Sequence, residues 1–463
     1  MNQRADDSVA RDVSFPRAAA VAAGLSALFV VVYTTTNWVS AQRSDVGTWF
    51  FPWELAIPFV PLMIIPYMSI DLFFVAAPFV CRQRQELRTL AWRIGLVILV
   101  AGACFLAWPL RLGFERQPVD GVLGMIFNPF LALDKPYNLA PSLHIALRTI
   151  LAALYARHTA GLTRLASHVW FSLVGVSTLF THQHHLIDVA AGFLLAVVCF
   201  YAVPDSPLRL PVVKNLRIGA YYTAGAAAAA FLCWAGWPQT AILIWPAAAM
   251  AIVATAYGGL GPGVFRKTDG RLPLSTRLVL GPLLLGQRLS LLYYRRQCRP
   301  WDEVVPGVWI GRQLNDAQAA EAVGQGVTAV LDLSVEFSEA APFRALNYRH
   351  LPVLDLTAPT LDQLREAARF IDEQSPAGIV YVHCKIGYSR SAAAVGAYLF
   401  SRGAADTVEE VVTLLRKARP SIVIRPEALA ALQQFHCETR QTASRRPVAS
   451  VPSGANAHED GCF

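Results

Sequence analysis

Charged residues are scarce in this chain of 463 residues: Asp, Glu, Lys and Arg make up only 16% of it, whereas hydrophobic residues make up 54%. This composition excludes a disordered, a collagen-like and a disulfide-scaffold protein. The eight cysteines include no CxxC pair or other metal-binding spacing. No nucleic-acid recognition motif accompanies the net charge of +8, whose basic residues fall in short clusters. We therefore expect no cysteine-held metal and no nucleic-acid partner.

The apolar residues are distributed unevenly, because long uncharged runs fill the first 260 residues. A membrane span needs about 20 predominantly apolar residues. This criterion predicts eight spans, at 17–36, 55–80, 92–110, 142–157, 165–181, 186–203, 218–235 and 240–260. With the N-terminus inside, most basic loop residues lie on the cytoplasmic side, as the positive-inside rule requires. We therefore expect an integral protein of a bacterial inner (cytoplasmic) membrane whose N-terminus and C-terminal domain are cytoplasmic; alternatively, the first span is a cleaved signal peptide.

The sequence divides into four predicted regions. A polytopic membrane domain, an interfacial linker, a soluble domain and a disordered tail occupy residues 1–260, 261–297, 298–440 and 441–463. Within the linker, the apolar segment 278–294 carries Gln287 and Arg288 at its centre. A central arginine is costly in a bilayer, so we interpret this segment as an amphipathic interfacial helix rather than a ninth span.

Two polar patches interrupt the membrane half, at 135–144 and 181–188, and both fall on the outer side of the predicted topology. In the second patch, His184 and Asp188 are spaced i, i+4, so on a helix they share one face and can form a hydrogen bond. Such a carboxylate fixes the imidazole tautomer and leaves the other ring nitrogen free as a nucleophile or base. In the first patch, Ser142 follows a proline at a predicted helix start, where unpaired N–H groups favour an anion.

The patches Pro-Ser-Leu-His at 141–144 and His-x-x-x-Asp at 184–188 resemble core motifs of the type 2 phosphatidic acid phosphatase superfamily, over roughly residues 50–205. The resemblance extends to its inositol phosphorylceramide synthase-like branch. It implies that His184 attacks phosphorus, that Asp188 orients His184, and that His144 protonates the leaving oxygen. Membrane lipids are the implied partners.

This half departs from the family pattern in two ways. Ser177-Thr178 stands where the family has Ser-Arg, and the family's first basic motif is not recognisable. Three basic residues are candidates to bind phosphate in its place: Arg111, Arg116 and Lys135. The synthase branch also lacks that arginine, which implies transfer of a phospho-headgroup as an alternative to hydrolysis. Asp71, inside the second apolar run, is a further functional candidate because intramembrane acids are rare.

Strands and helices alternate beyond residue 298. Residues 327–333 and 379–383 are typical of buried strands, and helices are predicted at 361–374, 391–402, 407–418 and 426–437. Asp406 with Glu409 predicts a capping box, and Gly403 a helix stop. The alternation predicts an α/β domain with a central sheet, following the α-helical membrane domain.

The strand ending at His383 leads into a loop and then a helix. Such a loop presents backbone N–H groups at a helix N-terminus, where they bind phosphate and lower the pKa of the Cys384 thiol. The predicted phosphate-binding residues of this loop are Lys385, Ile386, Gly387, Tyr388 and Ser389. Gly387 permits a tight turn, and Arg390 can hold two phosphoryl oxygens at once.

The pattern His-Cys-x2-Gly-x2-Arg at 383–390 is similar to the signature of cysteine-dependent phosphatases, and residues 300–440 resemble the dual-specificity branch. The resemblance implies a phosphocysteine intermediate on Cys384, with Ser391 assisting departure of the thiolate. It also implies a general acid on an upstream loop, for which Asp355 is the candidate. Asp332 and Asp372 are the alternatives.

We interpret the chain as a bifunctional membrane phosphatase: a cytoplasmic cysteine enzyme acting on a phosphoprotein, phospholipid or phosphoinositide, and an outward-facing histidine-dependent lipid phosphatase or headgroup transferase. Lys385 is similar to the loop residue of the lipid-directed members of this family, and this resemblance implies a phospholipid or phosphoinositide substrate. Neither half resembles a metal enzyme, so no cofactor is expected. Alternatively, only the cysteine site is active and the membrane half is a lipid-binding anchor. A transporter or receptor with a phosphate-sensing domain would instead carry an inactive loop.

Overall fold

The computed structural model describes residues 12–115, 118–205 and 214–444. It forms two compact units, residues 1–207 and 208–463. This division differs from the boundary predicted after residue 260, because the helices between 216 and 265 belong to the C-terminal unit. Polar side chains at the ends of those helices hydrogen-bond to the sheet domain, which apolar periodicity does not reveal.

The N-terminal unit is helical. Its helices are α1 (Phe15–Gln42), α2 (Ile64–Val80), α3 (Arg84–Ala107), α4 (Gly121–Leu133), α5 (Leu143–His158), α6 (Gly161–Phe180) and α7 (Leu186–Ala202). The predicted spans up to residue 203 coincide with six of them, whereas α4 was not predicted. Ile94 and Ile98 on α3, Leu151 on α5 and Phe171 on α6 are fully or almost fully buried in one shared core.

Five helical segments in the described part of the chain are long and apolar enough to cross a membrane: Phe15–Gln42, Pro61–Val80, Arg84–Ala107, Leu216–Ala235 and Ala241–Phe265. Helices α5 and α7 are shorter, with 16 and 17 residues. The eight predicted spans therefore remain a prediction, which these five segments support only in part.

The C-terminal unit contains a five-stranded mixed sheet in the order β1-β2-β5-β3-β4. The strands are β1 (Trp301–Val305), β2 (Val308–Gly311), β3 (Val327–Asp332), β4 (Asn347–His350) and β5 (Ile379–His383). Only β1 runs antiparallel to its neighbour. The carboxyl ends of β3 and β5 therefore meet at one edge, with Asp332 opposite His383. Such an edge is where α/β sheets place their ligands.

Helices precede and flank this sheet. They are α8 (Leu216–Ala235), α9 (Ile244–Thr255), α10 (Leu274–Val279), α11 (Gly281–Tyr294), α12 (Asp316–Gly324), α13 (Ala341–Arg344), α14 (Leu361–Gln374), α15 (Ser389–Ser401), α16 (Val408–Ala418) and α17 (Pro426–Ser444). One core lies between the sheet and α14 to α17, including Leu331, Val382 and Leu399. A smaller one includes Phe343 and Tyr381. The predicted α/β domain with a central sheet is confirmed.

Several predicted boundaries shift. The capping box predicted at Asp406 is wrong by one residue: Thr407 accepts a hydrogen bond from the Glu410 amide, and the Glu410 carboxylate accepts one from the Asp406 amide. The apolar face of α16 decides this register, because Val411 and Leu415 are buried. Gly403 does follow a helix end, at φ +64°.

Two further boundaries in the C-terminal unit also differ from expectation. The predicted interfacial helix starts later, as α11, because Pro282 occupies its first turn and an N1 or N2 proline favours a new helix start. Helix α17 continues to Ser444, so the first residues of the predicted disordered tail are helical. The remainder of that tail, residues 445–463, lies outside the described residues.

Candidate active site

The loop between β5 and α15 forms the floor of a cavity of about 210 Å³. Cys384 lies there with only 3% of its surface exposed. Gly387 has φ +77°, and a Cβ atom at this position would lie 2.4 Å from the carbonyl oxygen of Gly311. Both the backbone conformation and the close approach of β2 therefore require glycine.

Electrostatics favours the thiolate of Cys384. Burial opposes the charged form, but the Arg390 guanidinium, the Ser391 hydroxyl and nearby backbone amides outweigh it, so the pKa of Cys384 falls below its ordinary value. Ser391 is fully buried in the first turn of α15. A nucleophilic cysteine needs this kind of electropositive environment.

Arg390 is held rigidly at the cavity. Its Nη2 atom donates to Glu336 Oε1 at 2.6 Å and its Nη1 atom to Glu336 Oε2 at 3.1 Å, a bidentate pair. Nη1 also donates to the carbonyl of Val353 at 2.9 Å. Sequence reasoning missed Glu336, although its position just beyond β3, at the same sheet edge as Cys384, was a usable signal.

Asp355 is the acid that the fold brings to Cys384. Its carboxylate lies 3.1 Å from Arg390 Nη2 and 3.1 Å from Lys385 Nζ. Burial raises its pKa, but the two cations dominate and hold the pKa of Asp355 below its ordinary value. The alternatives are engaged elsewhere, because Asp332 pairs with Lys267 and Asp372 with Arg402.

The other predicted loop residues surround the cavity. Lys385, Ile386, Tyr388 and Ser389 all line it. The hydroxyl of Ser389 donates to the carbonyl of Val423 at 3.1 Å. The buried Arg419, which sequence reasoning missed, donates to the carbonyl of Ile386 at 3.0 Å and so holds the loop from outside. The arrangement can bind a phosphoryl group against a thiolate.

Comparison with known proteins identifies this domain. Residues 308–438 match the family described as dual specificity phosphatase, catalytic domain. Human dual specificity protein phosphatase 26 is 33% identical over 151 residues, which cover 29% of this chain and 72% of that protein. The chain belongs to the dual-specificity phosphatase family.

Two further proteins are similar to part of this chain. Human phosphatidylglycerophosphatase and protein-tyrosine phosphatase 1 is 41% identical over 97 residues, 20% of this chain and 48% of the relative. This chain thus spans about half the length of that relative. A crystal structure of PTPMT1 in complex with PI(5)P has 27% sequence identity, covers 31% of this chain and 99% of its own, and has a TM-score of 0.29.

A buried charge network lies beneath the dual-specificity phosphatase loop. His383 Nε2 lies 2.8 Å from Glu339 Oε2, and Lys267 Nζ lies 2.5 Å from Asp332 Oδ2. Burial opposes a charged His383, but Glu339 and Asp332 raise its pKa to about 9. The ligand atoms of Asp332, Glu339 and His383 lie within 4.8 Å of one another. Because a protonated imidazole offers no lone pair and Lys267 already balances the negative charge, this cluster suits a salt-bridge network better than a metal.

Lys267→Met should destabilise the C-terminal unit by about 3–5 kcal/mol, because it removes the lysine that pairs with the buried carboxylate of Asp332. Thermal and denaturant unfolding of the full chain would measure the loss. Lys417→Met, on the exposed face of α16, is the matched control and should be neutral. Equal stability of the two variants would mean that the network is not integral to the domain. The same argument predicts that a fragment beginning at residue 298, which lacks Lys267, is unstable.

The N-terminal unit contains a separate cavity of about 720 Å³. His144 and His184 both line it, together with Asp71 and Lys135. The predicted helical i, i+4 geometry of His184 and Asp188 is wrong, because α7 begins only at Leu186. The two side chains still approach, with His184 Nδ1 at 3.6 Å from Asp188 Oδ2, beyond normal hydrogen-bond length. Asp188 instead accepts from the His185 amide at 2.8 Å and caps the helix.

The other predicted residues of this unit are absent from the cavity lining or lie outside the described residues. Ser142 is buried, and its hydroxyl accepts from the Ile145 amide as a helix cap, away from the cavity lining. Arg111 does not line the cavity, and Arg116 lies outside the described residues. Sequence reasoning missed the fully buried Glu54, which lies 3.4 Å from His185 Nδ1. No pattern in the sequence joins these two positions.

Proposed function

We propose that the C-terminal domain hydrolyses phosphomonoesters through a phosphocysteine. The Cys384 thiolate attacks phosphorus, the bond from phosphorus to the leaving oxygen breaks, and Asp355 donates a proton to that oxygen. Water then attacks the phosphocysteine while Asp355 accepts a proton, and inorganic phosphate leaves as the thiolate is regenerated, assisted by Ser391. The meeting of Cys384, Arg390 and Asp355 in one cavity carries this proposal.

The ion pairs of Asp355 fit this sequence of events. Arg390 and Lys385 both pair with the carboxylate. A bound phosphoryl dianion competes for both cations and places negative charge beside Asp355. Both effects raise the pKa of the carboxyl and favour the protonated form that a general acid requires.

We further infer that the substrate is the phosphorylated headgroup of a membrane lipid. One relative is named as a phosphatidylglycerophosphatase. Helices α8 and α9 lie in two apolar segments long enough to span a membrane. Asn215, just before α8, and Tyr257, just after α9, hydrogen-bond to the loop that carries Asp355. Insertion of this hairpin in an inner membrane would hold the cavity at the cytoplasmic surface, where lipid headgroups lie and where a thiol stays reduced. A phosphoprotein is the alternative substrate.

A second activity is favoured by the N-terminal cavity. We propose that His184 attacks the phosphorus of a lipid substrate while His144 protonates the leaving oxygen, and that the phosphoryl or phospho-headgroup passes from His184 to water or a lipid hydroxyl. The joint lining of one large cavity by both histidines and Lys135 supports this. In the alternative, the unit only binds lipid as an anchor.

Trapping the covalent intermediate tests both proposals. Full-length protein in detergent is denatured during turnover of radiolabelled phospholipids and of a radiolabelled aryl phosphate, and the labelled peptides are mapped. We expect label on the peptide of Cys384, and on that of His184 if the second activity exists. Label on Cys384 alone would make the N-terminal unit an anchor. Turnover without label on Cys384 would contradict the phosphocysteine mechanism.

A further inference from the structure

The loop that carries Asp355 is anchored by residues that precede the catalytic domain. Tyr257 lies in the turn Ala256–Leu260, which follows α9, and its hydroxyl donates to the carbonyl oxygen of Asp355 at 2.8 Å. Asn215, immediately before α8, donates from Nδ2 to the carbonyl oxygen of Leu356 at 3.1 Å. The carbonyl groups of Asp355 and Leu356, in the loop that carries Asp355 (the acid loop), thus accept hydrogen bonds from the two ends of one helical hairpin, formed by α8 and α9.

The two anchors are themselves fixed. The Asn215 amide donates to the carbonyl of Tyr257 at 3.1 Å, which joins the ends of the hairpin. Asn215 Oδ1 accepts from the Ile218 amide and caps α8, so one side chain serves both the helix and the loop. Tyr257 is only 3% exposed and stacks on Tyr222, with ring centroids 5.6 Å apart. Neither anchor can move without disturbing the hairpin.

The acid loop needs such anchors. Leu356 has φ +60°, a left-handed conformation that costs a residue other than glycine roughly 1–2 kcal/mol. The side chain of Asp355 is drawn to the cavity floor by Arg390 and Lys385, and Gln287 of α11 holds Lys385 Nζ at 2.7 Å. The Asp355 carboxyl must nevertheless lie within reach of the leaving oxygen when phosphate displaces it. The position of the Asp355 backbone therefore decides whether its carboxyl can reach the leaving oxygen.

We propose that Tyr257 and Asn215 are positioning residues for the general acid Asp355. The apolar hairpin thus contributes to the phosphatase site. This inference rests on the proposed phosphatase function. The family match begins at residue 308, so both anchors lie outside the matched domain. They touch no reacting atom and act only through the backbone of the acid loop.

Leaving-group dependence tests this role in the full-length protein in detergent. 4-Nitrophenyl phosphate has a good leaving group and needs little proton donation, whereas phenyl phosphate has a poor one. Acid catalysis contributes about 10²–10⁴-fold where it is needed, so Tyr257→Phe and Asn215→Ser should each lower kcat for phenyl phosphate roughly tenfold. For 4-nitrophenyl phosphate, kcat should change less than about twofold. Serine keeps the helix-cap acceptor, so Asn215→Ser remains informative if Tyr257→Phe does not fold.

Tyr221→Phe is the matched control. Tyr221 is exposed on α8, and among the described residues its hydroxyl hydrogen-bonds only to Arg217. Its kinetics should equal those of the wild type on both substrates. An equal loss on both substrates in Tyr257→Phe and Asn215→Ser, or no loss on either, overturns the positioning role while the phosphatase activity stands. A wild type inactive on 4-nitrophenyl phosphate overturns the proposed function, and this inference with it.

Discussion

Cys384→Ser should abolish phosphate release by the C-terminal domain, lowering kcat by at least about a thousandfold on 4-nitrophenyl phosphate. The surroundings of Cys384 lower the pKa of a thiol, but a serine hydroxyl stays protonated in the same environment and is too weak a nucleophile to attack phosphorus. Steady-state kinetics of the full-length variant measures the loss. Phosphate binding should survive, since Arg390 and the loop amides are unchanged.

Cys437→Ser provides the control for this substitution, because Cys437 is an exposed free cysteine on α17. Its activity should equal that of the wild type. The rate of alkylation by iodoacetamide offers an independent measurement: the thiolate of Cys384 should form with a midpoint below the ordinary thiol value of about 8.5. Substantial residual turnover in Cys384→Ser on this aryl phosphate would show that another nucleophile serves it.

The loop between β5 and α15 was predictable because its determinants are local. Cys384 and Gly387 lie in the loop after β5, and Arg390 lies in the first turn of α15, so the spacing of three residue types within seven positions defines the geometry. The strand at 379–383 and the helix at 361–374 have the predicted bounds for the same reason. Short-range periodicity and turn chemistry suffice where the contacts are short-range.

The support of the site was not predictable, because it comes from distant segments. Glu336 orients Arg390 across 54 positions of sequence. Tyr257 reaches Asp355 across 98 positions. Gln287 lies beside Arg288, whose central position predicted an interfacial helix, yet the Gln287 side chain accepts from Lys385 in the loop after β5. A polar residue inside an apolar run fits a membrane surface or a buried partner equally well, and only the tertiary structure distinguishes them.

The same limit applies to the N-terminal unit. Sequence spacing placed His184 and Asp188 on one helix, but the helix starts after His184 because Asp188 caps it. His184 still lines one cavity with His144, and its Nδ1 atom lies 3.6 Å from Asp188 Oδ2. Residue types were therefore a better guide to proximity than the assumed helical geometry.

Asp355→Asn should lower kcat by about 10²–10⁴-fold for phosphomonoesters with poor leaving groups and should remove the basic limb of the pH profile. In the free enzyme, Arg390 and Lys385 hold the pKa of Asp355 below its ordinary value. The protonated acid is then lost as pH rises through that lowered pKa, so the basic limb of kcat/KM should lie below the ordinary carboxyl value of about 3.9. Steady-state kinetics across pH measures both effects.

The pH profile of kcat should differ from that of kcat/KM. Once a phosphoryl dianion is bound, it competes with Asp355 for Arg390 and Lys385 and adds negative charge, so the pKa of Asp355 rises in the complex. The basic limb of kcat should therefore lie at higher pH than that of kcat/KM. Asp372→Asn, which changes a surface acid paired with Arg402, should leave both limbs in place. If the basic limb persisted in Asp355→Asn, another group would donate the proton. The hydrogen bonds from Tyr257 and Asn215 to this loop would then have no role in acid catalysis.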